Sequence, residues 1–357
     1  MRDSGLISTE LLAWYDRHAR VLPWRVPAGK GQADPYRVWL SEVMLQQTTV
    51  AAVKQYFERF TQLWPTVHDL AAAADDQVMA EWAGLGYYAR ARNLVACARA
   101  VSALGSFPDT REGLRSLPGI GPYTSAAISA IAFDRPETVV DGNVERVVSR
   151  LFAIETPLPV SKPEIHDFAS ALTPLDRPGD YAQAMMDLGA TICTPRSPAC
   201  GICPLSAYCE ARSQGIAAQL PRKAAKKAKP LRKGAVWVGF SDSSILVETR
   251  PDKGLLGGTL AFPSSGWDGS DLGPPAEAVW RELGVVRHVF THFALDLVVM
   301  TADLNEAPRR GRLVSLAEFQ PTALPGLMRK AWALARPTPA RPRHSVAMAS
   351  QPQTPDG

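Results

Sequence analysis

Two carboxylates and four thiols carry the chemistry that this sequence offers. Glu42 sits in residues 36–47, YRVWLSEVMLQQ, where Tyr36, Leu40, Val43 and Met44 recur at helical spacing. Asp34-Pro35 starts that helix, with proline at the first position, where its missing N–H costs nothing. Glu42 lies on a neighbouring face, three residues from both Trp39 and Leu45. A carboxyl group beside such side chains loses water, which penalises its charged form and raises its pKa toward the range of a general acid. The commoner fate of a glutamate on an amphipathic helix is plain exposure. Asp141 closes the extended run Val139-Val140-Asp141, just before a helix expected over 144–152. An aspartate in that place is an ordinary N-cap.

The thiols are Cys193, Cys200, Cys203 and Cys209, spaced C-x6-C-x2-C-x5-C. No secretory pattern opens the chain, so a cytoplasmic location with reduced cysteines is expected. Four thiolates this close imply a metal site, either tetrahedral zinc or an iron–sulfur cluster. Structural zinc more often uses two C-x2-C knuckles. The single close pair here favours a [4Fe–4S] cluster and leaves zinc as the alternative. Cys97 stands alone in a helical run and reads as a buried apolar filler.

A glycine-punctuated turn, Pro118-Gly119-Ile120-Gly121-Pro122, joins a short helix at 110–116 to a second at 123–133. The second helix carries Ala126, Ala127, Ala130 and Ala132, small enough for neighbouring helices to approach closely. Its start offers free amides and a positive dipole end, which suit a phosphate. Tyr87-Tyr88 follows another glycine turn and precedes Arg90 and Arg92, a pairing of rings and charge that fits base stacking and phosphate contact. Further helices are expected at 9–18, 50–60 and 75–82.

The chain has 357 residues, enough for two domains, with 46% apolar and 21% charged residues. Its formal net charge of +4 says little about nucleic acid, but residues 222–233, RKAAKKAKPLRK, hold seven Lys or Arg and no acid. That run reads as a basic linker, which adds phosphate attraction. No apolar stretch is long enough to span a membrane. Past the linker the composition turns β-prone. Residues 235–240 and 244–250 form a hairpin pattern around Ser241-Asp242-Ser243, two more strands are expected within 285–304, and helices at 276–283 and 325–334. Residues 337–357 are Pro- and Ser-rich and read as a disordered tail.

The chain resembles the adenine DNA glycosylases of the MutY family, within the helix-hairpin-helix superfamily that includes endonuclease III. The residues that carry the likeness are SEVMLQQTTV (41–50), GLGYYARARNL (84–94), LPGIGPYTSAAI (117–128), VVDGNVERV (139–147), QAMMDLGATICTPRSPAC (183–200) and the four-cysteine loop. It covers about residues 6–330. The resemblance implies a mostly α-helical helix-hairpin-helix glycosylase domain at 1–221 with an iron–sulfur loop at 193–209. After the linker at 222–233 it implies a smaller α/β MutT-like (Nudix-fold) domain at 234–336. It implies a monofunctional base excision repair enzyme that flips adenine out of double-stranded DNA, opposite 8-oxoguanine or guanine, and leaves an abasic site. The expected enzyme is a monomer without a membrane partner.

The resemblance also suggests roles. Glu42 protonates the adenine ring and Asp141 stabilises the oxocarbenium-like sugar, as two carboxylates do in glycoside cleavage. Tyr123 and Asn143 stand near them. Gln47, Leu45 and Tyr87 belong to the opened stack, Gly119 and Gly121 to the DNA backbone, Gln183 to the base pocket, and Arg196 to a phosphate contact. Cys193, Cys200, Cys203 and Cys209 hold the cluster. Phe290, Thr291 and His292 match the loop that reads 8-oxoguanine, although many relatives have serine where Thr291 stands. Strand-cleaving relatives of the endonuclease III type carry a lysine where this chain has Tyr123, and Glu145 is no amine either, which argues against a lyase. A binding protein without catalysis is disfavoured because Glu42 and Asp141 are both present. An active Nudix hydrolase needs an acidic cluster that Arg281-Glu282-Leu283-Gly284 lacks.

Overall fold

The computed structural model describes residues 4–224, 228–251, 254–267, 272–290 and 292–336; Thr291 and the expected tail at 337–357 lie outside them. The chain divides into two compact units, Met1–Lys226 and Lys227–Gly357.

The first unit is helical. Its order is α1 (Ser4–His18), α2 (Pro35–Leu45), α3 (Val50–Leu63), α4 (Val67–Ala72), α5 (Asp75–Glu81), α6 (Tyr88–Leu104), α7 (Arg111–Arg115), α8 (Pro122–Phe133), α9 (Gly142–Leu151), α10 (Lys162–Leu172), α11 (Pro178–Thr191) and α12 (Glu210–Ser213). Helices α2 to α6 close over one aromatic core that includes Trp39, Phe57, Phe60 and Trp82. Helices α1, α9, α10 and α11 close over a second, built on Ile7, Leu11, Val148 and Leu188. Helix α8 serves both. Ile128 and Ala132 join the first core, while Ala126, Ala127 and Ala130 pack with Ala182 of α11. Alanines at these places let α2 and α11 both lie against α8, so that residues of three elements share one seam.

Local chemistry sets the helix ends. Asp34 caps α2 by accepting from the Tyr36 amide at 2.9 Å. The helix stops at Leu45, short of the expected residue 47. Arg90 is the reason: its guanidinium donates to the Val43, Met44 and Gln46 carbonyls, which an α-helix leaves unpaired at its end. Gln47 then turns left-handed at φ 60°. Helix α1 begins five residues earlier than expected, at Ser4. Helix α3 runs on to Leu63.

The second unit is a mixed sheet under one helix. The strands are β1 (Leu231–Ser241), β2 (Ser244–Thr249), β3 (Leu260–Ala261), β4 (Arg281–Val289), β5 (Ala294–Asp303) and β6 (Arg312–Ser315), and the helix is α13 (Gly326–Ala335). Their order is β3-β2-β1-β5-β4, with β6 paired to β2. Strands β1 and β5 are parallel; β1 and β2 form the expected hairpin through Asp242 at φ 48°. One expectation fails here. No helix forms at 276–283, because Arg281 and Glu282 pair with Thr301 and Met300 of β5 and long-range pairing overrides local propensity. The basic run at 222–233 is not simply a linker. The Leu158 amide donates to the Arg222 carbonyl at 2.8 Å and the Ala224 amide to the Leu158 carbonyl at 3.0 Å, while Leu231 to Lys233 already belong to β1. Among the described residues no helix is long and apolar enough to cross a membrane.

One close approach locks α11 against α9. A Cβ on Gly189, in α11, would stand 2.6 Å from the Asn143 Cβ at the start of α9. Gly189→Ala should therefore lower stability by about 1–3 kcal/mol through overpacking. A thermal melt in which the variant matches the parent would contradict this contact.

Candidate active site

Glu42 points from the middle of α2 into a cavity of about 50 Å³ that Arg20, Trp24, Arg25, Leu45, Gln183 and Met186 also line. That space holds a few water molecules, so a purine would have to displace wall side chains to come in. Glu42 is buried, with 8% of its surface exposed. Burial pushes its pKa up to about 7; the hydrogen bond with the Tyr123 hydroxyl opposes the rise, the Asp141 charge adds to it, and the Arg25 charge opposes it. Tyr123 stands at the start of α8, and burial pushes its phenol well above the ordinary tyrosine range. Its hydroxyl lies 3.8 Å from the Met186 sulfur.

Asp141 is the N-cap of α9, as its position before a helix implied. Its Oδ1 accepts from the Asn143 amide at 2.9 Å and the Val144 amide at 2.8 Å, and its Oδ2 from the Asn143 side chain at 2.7 Å. Three donors and the positive end of a helix therefore surround this carboxylate. Asn143 in turn accepts from Arg146 at 2.9 Å. The same guanidinium donates to the Gly189 carbonyl at 2.8 Å and the Cys193 carbonyl at 2.8 Å. An unbroken hydrogen-bonded chain thus runs from Asp141 to the backbone carbonyl of Cys193, the first residue of the cysteine loop.

Cys193, Cys200, Cys203 and Cys209 line a single cavity with Arg150. Arg150 is buried, and its guanidinium lies 3.2 Å from the Cys193 sulfur while donating to the Thr194, Pro195 and Leu220 carbonyls. Among the described residues no group of three or more His, Cys, Asp or Glu is arranged around a single metal ion. Four thiols on one cavity beside a buried cation fit a negatively charged thiolate-bound cluster. Cys97, by contrast, is buried, and burial pushes its thiol up to about 12, in keeping with a filler.

The remaining sequence candidates separate. Gly119 (φ 74°) stands at the hairpin between α7 and α8, where a Cβ would meet the Asn93 Cβ at 2.7 Å. Gly121 needs no unusual conformation and has open space around it. Gln47 and Tyr87 are both left-handed, and the Tyr87 hydroxyl donates to Gln47 at 3.2 Å; Tyr87 is exposed. Arg90 is turned toward the protein. It is spent on the α2 carbonyls and sandwiched between the Trp82 and Tyr87 rings. Arg196 is exposed on the cysteine loop. Gln183 is buried on the cavity wall and donates to the Gly179 carbonyl at 3.3 Å. In the second unit, Phe290 sits among Trp267, His288 and Phe293 at the β4–β5 turn, which the Phe290 amide closes on the Phe293 carbonyl at 2.8 Å; His292 is exposed.

Sequence reasoning missed Arg20, Trp24, Arg25 and Asp187. Asp187 is fully buried in α11 and binds both arginines. An acid inside the apolar run QAMMDLGA was the one available signal.

A helical unit with this hairpin, paired carboxylates and a thiol loop is the architecture of a base-excision DNA glycosylase. The model of the HhH-GPD superfamily base excision DNA repair proteins matches residues 40–167, that of the iron-sulfur binding domain of endonuclease III matches 193–209, and a NUDIX domain model matches 235–334. Adenine DNA glycosylase from Homo sapiens is 36% identical, over 90% of this chain and 72% of the relative. That from Mycolicibacterium smegmatis is 40% identical, over 58% of this chain and 70% of the relative. A thermostable thymine-DNA glycosylase of known structure is 28% identical, covering 59% of this chain and 97% of its own, with a TM-score of 0.53. An endonuclease III–DNA complex shares the fold at 24% identity and a TM-score of 0.50, covering 60% of this chain and 99% of its own. The chain belongs to the adenine DNA glycosylase family, so it is a DNA N-glycosylase that binds DNA and carries an iron–sulfur site.

The buried acid has a consequence for stability. Its folded pKa lies above the unfolded value of 4.5, so between pH 4.5 and about 7 the folded chain holds a proton that the unfolded chain releases. Stability is therefore lost as pH rises through that window. Glu42→Gln, which carries no charge at any pH, should be more stable than the parent at pH 8 by about 1–3 kcal/mol and equal to it below about pH 4.5. Denaturant melts at the two pH values check this, and a variant equally or less stable at pH 8 would contradict it.

Proposed function

We propose that this protein removes adenine paired with 8-oxoguanine or guanine in double-stranded DNA by hydrolysing its N-glycosidic bond, leaving an abasic site. The observation that carries the mechanism is the pairing of a dry carboxyl, Glu42, with a donor-cradled carboxylate, Asp141. At neutral pH a group titrating near 7 still holds its proton in a large fraction of molecules. Glu42 gives that proton to a ring nitrogen of the extruded adenine, so the base leaves neutral. As the C1′–N9 bond breaks, positive charge grows on the sugar, and the Asp141 carboxylate stabilises it. Asn143 fixes Asp141, and Tyr123 orients Glu42. Glu42, now ionised, accepts a proton from the water that attacks C1′.

Several features support hydrolysis over strand cleavage. Neither Tyr123 nor Glu145 is an amine, and among the described residues lining the cavity none is a lysine. Lys162 is held by Glu145 at 2.8 Å. Arg281-Glu282-Leu283-Gly284 lies on β4 with a bulge, without the acidic cluster that magnesium-dependent nucleotide hydrolysis needs, so the second unit is read as a lesion reader through the 290–292 turn. Cys193, Cys200, Cys203 and Cys209 would hold one [4Fe–4S] cluster, which cross-links the 193–209 loop when bound. We read the enzyme as a cytoplasmic monomer.

A single-turnover assay on duplexes bearing adenine opposite 8-oxoguanine, guanine or thymine tests this. Adenine release is expected from the first two. Glu42→Gln should slow it by roughly 10²–10⁴-fold. Asp141→Asn keeps a good N-cap, so it should cost only about 1 kcal/mol of stability while slowing release by roughly 10²–10³-fold. Full activity of either variant, or no release opposite 8-oxoguanine, defeats the proposal. For the cofactor, visible absorption and iron analysis of the purified protein should show about four irons per chain; one zinc and a colourless protein would exclude the cluster.

A further inference from the structure

Asp187 has no place in the chemistry above, yet it is the most heavily bonded acid beside the active-site cavity. It lies inside α11 with no exposed surface. Its carboxylate accepts from Arg25 Nη1 at 2.7 Å and Nη2 at 2.9 Å, and from the Arg20 Nε at 2.6 Å and backbone amide at 3.0 Å. Both arginines line the cavity into which Glu42 points. Burying a carboxylate with two partly buried arginines is costly, and an apolar replacement often holds a fold as well or better. A cluster of this kind beside a reacting group therefore calls for a reason other than stability.

We propose that Asp187 is a positioning residue of this active site: by binding Arg25 in a two-pronged pair and Arg20 beside it, it keeps these cations from pairing with Glu42, so that Glu42 remains an acid.

Two carboxylates act on Arg25. Asp187 holds it directly, and Glu42 feels it at longer range. An Arg25 released from Asp187 has Glu42 as the remaining carboxylate. That contact would favour the ionised form and remove the proton that the base needs. The other groups around Glu42 cannot substitute. Tyr123 from α8 donates a hydrogen bond but carries no charge, and Asp141 at the start of α9 is an anion that works the other way. Gln183 and Met186 from α11 are neutral. Arg90 from α6 is committed to the carbonyls at the end of α2. The balance at Glu42 is thus set between Asp141 on one side and the Arg25–Arg20 pair, with its charge partly cancelled by Asp187, on the other.

This inference rests on the reading of Glu42 as the acid, and the test separates the two. The rate of adenine release under single turnover is measured from pH 5 to pH 9 on the 8-oxoguanine duplex with the whole protein. If Glu42 must be protonated, the parent rate falls on the alkaline side. Asp187→Asn leaves Arg25 and Arg20 uncompensated, and its alkaline limb should move down by at least about one pH unit, a tenfold loss at pH 8 with much less loss near pH 5. Arg25→Gln removes a cation and should move the limb up, whatever its effect on the maximum rate. The double variant should return the limb toward that of the parent.

An Asp187→Asn protein that loses activity equally at every pH, or keeps the parental limb, overturns the proposal. Should Asp187→Asn not fold, Arg25→Gln decides alone, and an unmoved limb overturns it. Glu42→Gln is run beside them. Full activity there brings down the acid reading itself, whereas loss there with an unmoved limb in Asp187→Asn brings down only this proposal.

Discussion

Two carboxyl groups must act on each other from opposite electrostatic settings, and much of the first unit follows from that demand. Glu42 needs to be dry. It is dry because α2 buries nearly all of its later turns, from Val38 to Met44, against α8 and the aromatic core. Asp141 needs donors. It has them because it stops an extended segment and starts α9 in the same residue, where helical amides have no other partner. One setting belongs to a helix middle and the other to a helix start. The alanines of α8 let these two kinds of place come together.

The geometry of Asp141 is not held by its own helix alone. Asn143 links it to Arg146, and Arg146 reaches the carbonyls of Gly189 and Cys193. The thiol loop is therefore tied to the carboxylate through two side chains. Arg150, one turn further along α9, is buried against the Cys193 sulfur and three carbonyls of the same region. Ordering the loop and aiming Asp141 are consequently parts of one packing problem, since α9 carries both guanidinium groups on the side that faces α11 and the cysteines.

Features that depend on near neighbours in the chain were legible in the sequence. Asp34-Pro35 marked the start of α2, Asp141 read as a cap, the four cysteines read as one site, and the hydrophobic surroundings of Glu42 foretold its raised pKa. Features made by distant residues were not. Arg90 looked like a DNA-facing base beside two tyrosines, but α6 places it under the end of α2, where free carbonyls outcompete solvent. Arg20 and Arg25 stand more than 160 positions before Asp187, and the three become a cluster only when α11 closes on the segment before α2. The stretch at 276–283 has helical composition, yet β5 offers a row of unpaired backbone groups that only an extended neighbour satisfies.

The second unit matches a NUDIX domain without the acidic cluster that nucleotide hydrolysis needs. Glu282 and Gly284 are spent on the edge of the sheet, paired with Met300 and Val299, with a bulge between them and Gly284 at φ 132°. What the same hairpin builds is at its other end. Phe290 and Phe293 stack inward with Trp267, Arg232 lies over the Phe293 ring at 4.2 Å, and Lys229 donates to the Phe290 carbonyl at 2.6 Å. Ring packing holds Phe290 and Phe293 in place, while His292 is exposed. This end of the hairpin therefore joins an apolar anchor that resists movement to a polar group that owes nothing to the core.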